Sequence, residues 1–135
     1  MGDKIEVACI IDDDTVYVNL VKRIIEAKHL CQNLLVFENG KEALGYFEAI
    51  LCNMNEESIP EIIFLDLNMP VMDGWEFLEK FIAIKNNFGK VITLYIVSSS
   101  INPLDIKKAK SINGIKDYLI KPVTIGELES IFSAA

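Results

Sequence analysis

Two kinds of apolar pattern alternate along this chain. The first is a short continuous run. Val7-Ala8-Cys9-Ile10-Ile11 stops at three aspartates, Ile62-Ile63-Phe64-Leu65 stops at Asp66, and Val91 to Val97 stops at Ser98. Runs of this kind suit strands covered on both faces, as in a parallel sheet. Leu34-Leu35-Val36-Phe37 and Ile115 to Ile120 are weaker examples, the second ending in Lys121-Pro122. The second pattern has helical spacing. Val16, Leu20 and Ile24 recur at every fourth position with Val21 and Ile25 beside them, and Ala43, Leu44, Phe47, Ile50 and Leu51 form an amphipathic stripe. Phe77, Leu78, Phe81 and Ile82 make a third stripe. Asn102-Pro103 is a helix start and Asn113-Gly114 a stop. Thr124 caps a last helix carrying Ile125, Leu128, Ile131 and Phe132. The polar stretch Asn53 to Pro60 is expected to be a loop.

The order is therefore strand then helix, five times over. Such alternation predicts an α/β domain, a doubly wound five-stranded parallel sheet with helices on both faces. There is no internal repeat, low-complexity tract or linker, and 135 residues suit one domain.

Polar chemistry collects just past the strand ends: Asp12 and Asp13 after the first, Asp66 after the third, Ser98 after the fourth, Lys121 after the fifth. In an open parallel sheet these ends share one edge, where ligands bind beside the switch in strand order. Strand order 2-1-3-4-5 brings Asp12, Asp13 and Asp66 together. Three crowded carboxylates repel one another unless a cation neutralises them. Oxygen donors favour a hard cation such as Mg²⁺, and Mn²⁺ is a substitute. With Mg²⁺ and Lys121 the formal charges balance.

Composition narrows the classes further. Lys plus Arg is 13 against 20 Asp plus Glu, a net charge of −7, which disfavours direct nucleic acid binding or attraction to an anionic membrane. No apolar run approaches the roughly 20 residues of a membrane span, and no signal-peptide apolar region is seen, so a cytoplasmic location is expected. Cys9, Cys31 and Cys52 are odd in number with no C-x-x-C, which reads as reduced thiols. His29, alone near a helix end, reads as a solvated or dipole-compensating group.

Four blocks together carry a family resemblance: Ile10-Ile11-Asp12-Asp13-Asp14, Leu65-Asp66-Leu67-Asn68-Met69-Pro70-Val71-Met72-Asp73-Gly74, Ile96-Val97-Ser98-Ser99 and Tyr118-Leu119-Ile120-Lys121-Pro122. In this order they resemble a response-regulator receiver domain of the single-domain chemotaxis type, over nearly the whole chain. The resemblance implies a flavodoxin-like fold, with residues 1–135 forming one receiver and no output domain. It implies that Asp66 accepts a phosphoryl group from a phosphohistidine on a histidine kinase or phosphotransfer protein. Asp13 would ligate Mg²⁺, Asp12 support it, and Asn68 offer its backbone carbonyl. Ser98 and Lys121 would contact the phosphoryl group, and the Lys121-Pro122 bond would be cis. Tyr118 would reorient with Ser98. The change would be read by a separate effector on helix four, strand five and helix five, where Lys107, Lys108, Lys110 and Tyr118 lie. Such a protein is a phosphoacceptor signalling switch of a two-component system or phosphorelay, assisting its own chemistry rather than acting as an enzyme on an external substrate. Ser98 stands where Thr is more usual, Asn68 and Ser100 occupy positions that tune dephosphorylation, and Asp14 has no assigned role.

Two other readings compete. Ile10 to Val16 fits the D-x-D-x-[TV] start of haloacid-dehalogenase-like phosphatases, with Asp12 as nucleophile. That reading leaves Asp66 and the Asn-Met-Pro-x-Met-Asp-Gly block unexplained. A phosphorylation-independent docking module would keep only the fold.

Overall fold

A computed structural model describes residues 5–53 and 59–134. The strands are β1 (Ile5–Ile11), β2 (Cys31–Phe37), β3 (Ile62–Leu65), β4 (Thr93–Ser98) and β5 (Ile115–Ile120). The helices are α1 (Thr15–Ala27), α2 (Gly40–Asn53), α3 (Gly74–Lys85), α4 (Pro103–Lys110) and α5 (Ile125–Ala134). All strand pairings are parallel, in the order β2-β1-β3-β4-β5. Most of the polar stretch expected as a loop over residues 53–60 lies outside the described residues.

Alternate strand residues feed two separate cores, as the two-residue strand period requires. Cys9, Ile11, Ile63, Leu65, Leu94 and Ile96 pack against α2 and α3, and against Ala109 of α4. Ala8, Ile10, Ile62, Phe64, Tyr95 and Val97 face the other way, against α1 and α5. The first core is built on rings: Phe47 lies 5.0 Å from Phe81 and 5.8 Å from Phe88 between centroids.

Four expectations need correction. The α1 stripe does not face the core: Val16 is 80% exposed and Leu20 52%, whereas Val18, Val21 and Ile25 are buried. A helix turns about 100° per residue, so Val16 lies nearly opposite Val18, Val21 and Ile25. Apolar residues occupy both sides of α1, and period alone does not choose between them. β4 begins at Thr93 rather than Val91, which is exposed. β2 begins at Cys31, because its pairing with β1 continues through the polar Gln32 and Asn33 on an edge strand. α4 ends at Lys110, before Asn113-Gly114. Ser111 Oγ donates to the Lys108 carbonyl at 2.7 Å and closes the helix there. Gly114, at φ 109°, then turns the chain into β5.

Candidate functional site

The ladder hydrogen bonds continue one residue past β1, β3 and β5 and fix the polar residues there, while Ser98 is itself the last residue of β4. Asp12 N donates to Phe37 O and Asp66 N to Ile11 O, both at 2.9 Å, and Lys121 N donates to Ser98 O at 3.0 Å. Asp12, Asp66, Ser98 and Lys121 are thus held by the sheet itself. The carboxylates of Asp12, Asp13 and Asp66 converge, each offering an oxygen within 4.8 Å of the others. Asp12 and Asp66 are buried and Asp13 is exposed. Lys121 Nζ lies 2.8 Å from Asp12 Oδ2 and 3.9 Å from Asp66 Oδ1. The Lys121-Pro122 bond is cis, as the resemblance implied.

Burial and crowding act on the acids. Desolvation pushes the Asp66 carboxyl up to about 7, with the Asp12 charge adding to it and Lys121 opposing it. Asp12 is raised too by burial, against hydrogen bonds from Lys121 and the Asp14 N–H. Three carboxylates against one ammonium leave a formal charge of −2. An all-oxygen, doubly negative cleft open on the Asp13 side fits a hard divalent cation.

Ser98 is fully buried, and its Oγ accepts the Ser100 N–H at 3.1 Å. Ser100 is also held at two other atoms. Its carbonyl accepts the Tyr118 hydroxyl at 2.8 Å, and its own hydroxyl donates to Asp105 Oδ2 at 2.7 Å. Tyr118 is therefore tied to the β4–α4 loop that Ser98 begins. Asn68 is exposed in the β3–α3 loop, two residues past Asp66. Lys107, Lys108 and Lys110 are exposed on α4, and Lys108 Nζ lies over the Trp75 ring at 4.4 Å. A groove of about 640 Å³ lies apart from the carboxylates, between α3 and α4, lined by Trp75, Leu78, Ile82 and Ile112 among others.

The family model for the Response regulator receiver domain matches residues 8–133. The chain belongs to the response regulator receiver family. It is 30% identical to chemotaxis protein CheY of Listeria monocytogenes over 93% of this chain and 95% of that protein. It is 26% identical to the probable methanogenesis regulatory protein FilR2 of Methanothrix harundinacea, over 95% of this chain and 83% of the relative. A two component response regulator from Cytophaga hutchinsonii has the same fold, with TM-score 0.81 and 27% identity, covering 98% and 97% of the two chains. This receiver spans less than a third of some other relatives, 31% and 28% of their lengths. Among the described residues no helix is long and apolar enough to cross a membrane.

Three features of the receiver escaped the sequence reading. Asp14 is the N-cap of α1, its Oδ1 accepting the Tyr17 N–H at 3.1 Å, while its own N–H bonds Asp12 Oδ1 at 2.9 Å. The Asp three residues before Tyr17 was a signal for that cap. Tyr17 then lies against Lys121, its ring centroid 4.6 Å from Nζ, and nothing in the sequence pointed to that contact. Gly74, which in the sequence only ends a motif block, packs directly on the Asp66 and Leu67 backbone.

Proposed function

We propose that Asp66 is the phosphoacceptor of a signalling switch, charged from a phosphohistidine on a histidine kinase or phosphotransfer protein. The observation that carries this reading is the cluster of Asp12, Asp13, Asp66, Ser98 and Lys121, with Asp12, Asp66 and Ser98 buried, at four adjacent strand ends of a receiver. Both Asp12 oxygens are engaged, one by the Asp14 N–H and one by Lys121, which favours Asp66 over Asp12 as nucleophile. An Asp66 oxygen attacks phosphorus, the P–N bond breaks, and the imidazole leaves with its electron pair and takes up a proton. An acyl phosphate remains on Asp66, and water later returns it to carboxylate and inorganic phosphate.

Asp12, Asp13, Asp66 and the Asn68 carbonyl would hold Mg²⁺, which Mn²⁺ would replace. A divalent ion there neutralises charge on the phosphoryl oxygens. Lys121 supplies the second positive charge. The Ser98 hydroxyl hydrogen rotates to suit an incoming oxygen. Acyl phosphate places nearly two negative charges where the carboxylate had one. Attraction of Ser98 toward them would break its bond to Ser100 and release the Ser100–Tyr118 and Ser100–Asp105 contacts. The surface of α4, β5 and α5 would then change for a separate effector.

Intact mass after incubation with Mg²⁺ and acetyl phosphate tests this. A gain of one phosphoryl group is expected, lost in Asp66→Ala and without metal. Uptake that survives Asp66→Ala but vanishes in Asp12→Ala refutes the assignment and favours the phosphatase chemistry. No uptake from acetyl phosphate or from a phosphohistidine kinase favours the docking module.

A further inference from the structure

Lys121 has a difficult position. Its shorter ion pair is with Asp12 at 2.8 Å, not with Asp66 at 3.9 Å. A divalent cation taken up by Asp12 draws on the same carboxylate that holds the ammonium. A lysine stem has rotamer freedom to swing toward water once its partner is taken. Tyr17 is the neighbour that a cation does not compete for. Its ring stands 4.6 Å from Nζ, within cation–π range, and offers a neutral face. The Tyr17 backbone, from which the ring projects, is held by the site's own acids: Asp12 Oδ1 accepts the Asp14 N–H, and Asp14 Oδ1 accepts the Tyr17 N–H. Tyr17 is half-buried, and a tyrosine hydroxyl keeps its proton near neutral pH, so the ring stays neutral.

We propose that Tyr17 is a positioning residue whose ring keeps the Lys121 ammonium over the site when a divalent cation engages Asp12. This rests on the phosphoacceptor reading above. The ring carries the effect and the hydroxyl does not.

The test uses the full chain as wild type, Tyr17→Phe, Tyr17→Leu and Tyr17→Met. Met keeps bulk without an aromatic face, should Leu fail to fold. One measurement is the NMR shift of the Lys121 ε-CH₂ group, read with and without Mg²⁺. An upfield ring-current displacement is expected in wild type and Tyr17→Phe, surviving Mg²⁺, and absent in the aliphatic variants. The other is the rate of phosphoryl uptake from acetyl phosphate. Loss of one cation–π contact corresponds to about a five- to tenfold fall in Tyr17→Leu and Tyr17→Met, with Tyr17→Phe within about twofold of wild type. Collapse of the wild-type displacement on adding Mg²⁺ overturns the proposal, as does a Tyr17→Phe rate as low as the aliphatic ones or aliphatic rates equal to wild type. If wild type takes no phosphoryl group, the phosphoacceptor reading fails instead, and the Mg²⁺-dependent shift still decides the Tyr17–Lys121 contact.

Discussion

Replacing Asp66 by Asn should stabilise the metal-free protein above neutral pH. Folding moves this carboxyl from an ordinary value near 4 up to about 7. Between those values the folded state binds more proton than the unfolded state, so stability falls as pH rises through the window. Each pKa unit is worth about 1.36 kcal/mol, which bounds the loss at about 4 kcal/mol. Relaxation of the acids and entry of water bring it nearer about 2 kcal/mol. Asn keeps the shape and an acceptor oxygen for the Leu67 N–H that now supports the carboxylate. It removes the charge that burial and Asp12 oppose.

The assay is thermal or urea unfolding at pH 5 and pH 8, in chelator and again with Mg²⁺. In chelator, wild type should lose roughly 1 kcal/mol of this between pH 5 and pH 8 through Asp66, the rest falling below pH 5, and Asp66→Asn should remove that part of the slope. For a chain of this size the difference at pH 8 is about 5–10 °C in Tm. Mg²⁺ should close the gap from the wild-type side by neutralising the cluster. An Asp66→Asn protein with the wild-type pH slope, or one less stable at pH 8, would refute the claim that Asp66 is a destabilised anion.

Three further outcomes follow from backbone geometry. Gly74→Ala should cost about 3 kcal/mol or prevent folding, because a Cβ there collides with the Asp66 carbonyl and comes within 2.8 Å of Leu67 Cα; Tm and phosphoryl uptake should fall together. Val71 is β-branched at φ 67°, so Val71→Gly should raise stability by about 1 kcal/mol in urea unfolding, and a destabilised variant would contradict the strain. Asp14→Ala should cost about 1 kcal/mol by uncapping α1, with Asp14→Ser recovering most of it, and equal loss in both variants would show that the cap is not the cause.

The chemistry was more legible than the packing for a physical reason. Each buried strand is a run of apolar residues, and a polar residue at its end interrupts the pattern where the chain reaches the functional edge. Asp12, Asp66 and Ser98 announce themselves so, Lys121 less sharply because β5 also carries Lys116 and Asp117, and strand order alone brings them together. The α1 face was not legible, because Val16 and Leu20 satisfy the helical period as well as Val21 and Ile25 do. The packing of Gly74 was not legible, since its closeness to Asp66 depends on how the β3–α3 loop folds back. Tyr17 resembles any half-buried aromatic until β5 delivers Lys121 beside it.

Ser100 is the clearest case of information that only the fold supplies. Its side chain is small and the two residues before it are serines, yet four hydrogen bonds meet at it. Its N–H goes to Ser98, its carbonyl takes the Tyr118 hydroxyl, and its hydroxyl donates to Asp105 in the first turn of α4 while accepting the Asn102 N–H. Any shift of the Ser98 oxygen therefore disturbs a strand aromatic and a helix together. α4 is also the helix easiest to disturb. Only Ala109 of its residues is buried, where α1 buries three and α3 four. An element with so little apolar burial moves at low cost, which suits it to report a change made at a rigid sheet edge. In the proposed switch the sheet would hold the charges and α4 would respond to them, with Ser100 joining the two.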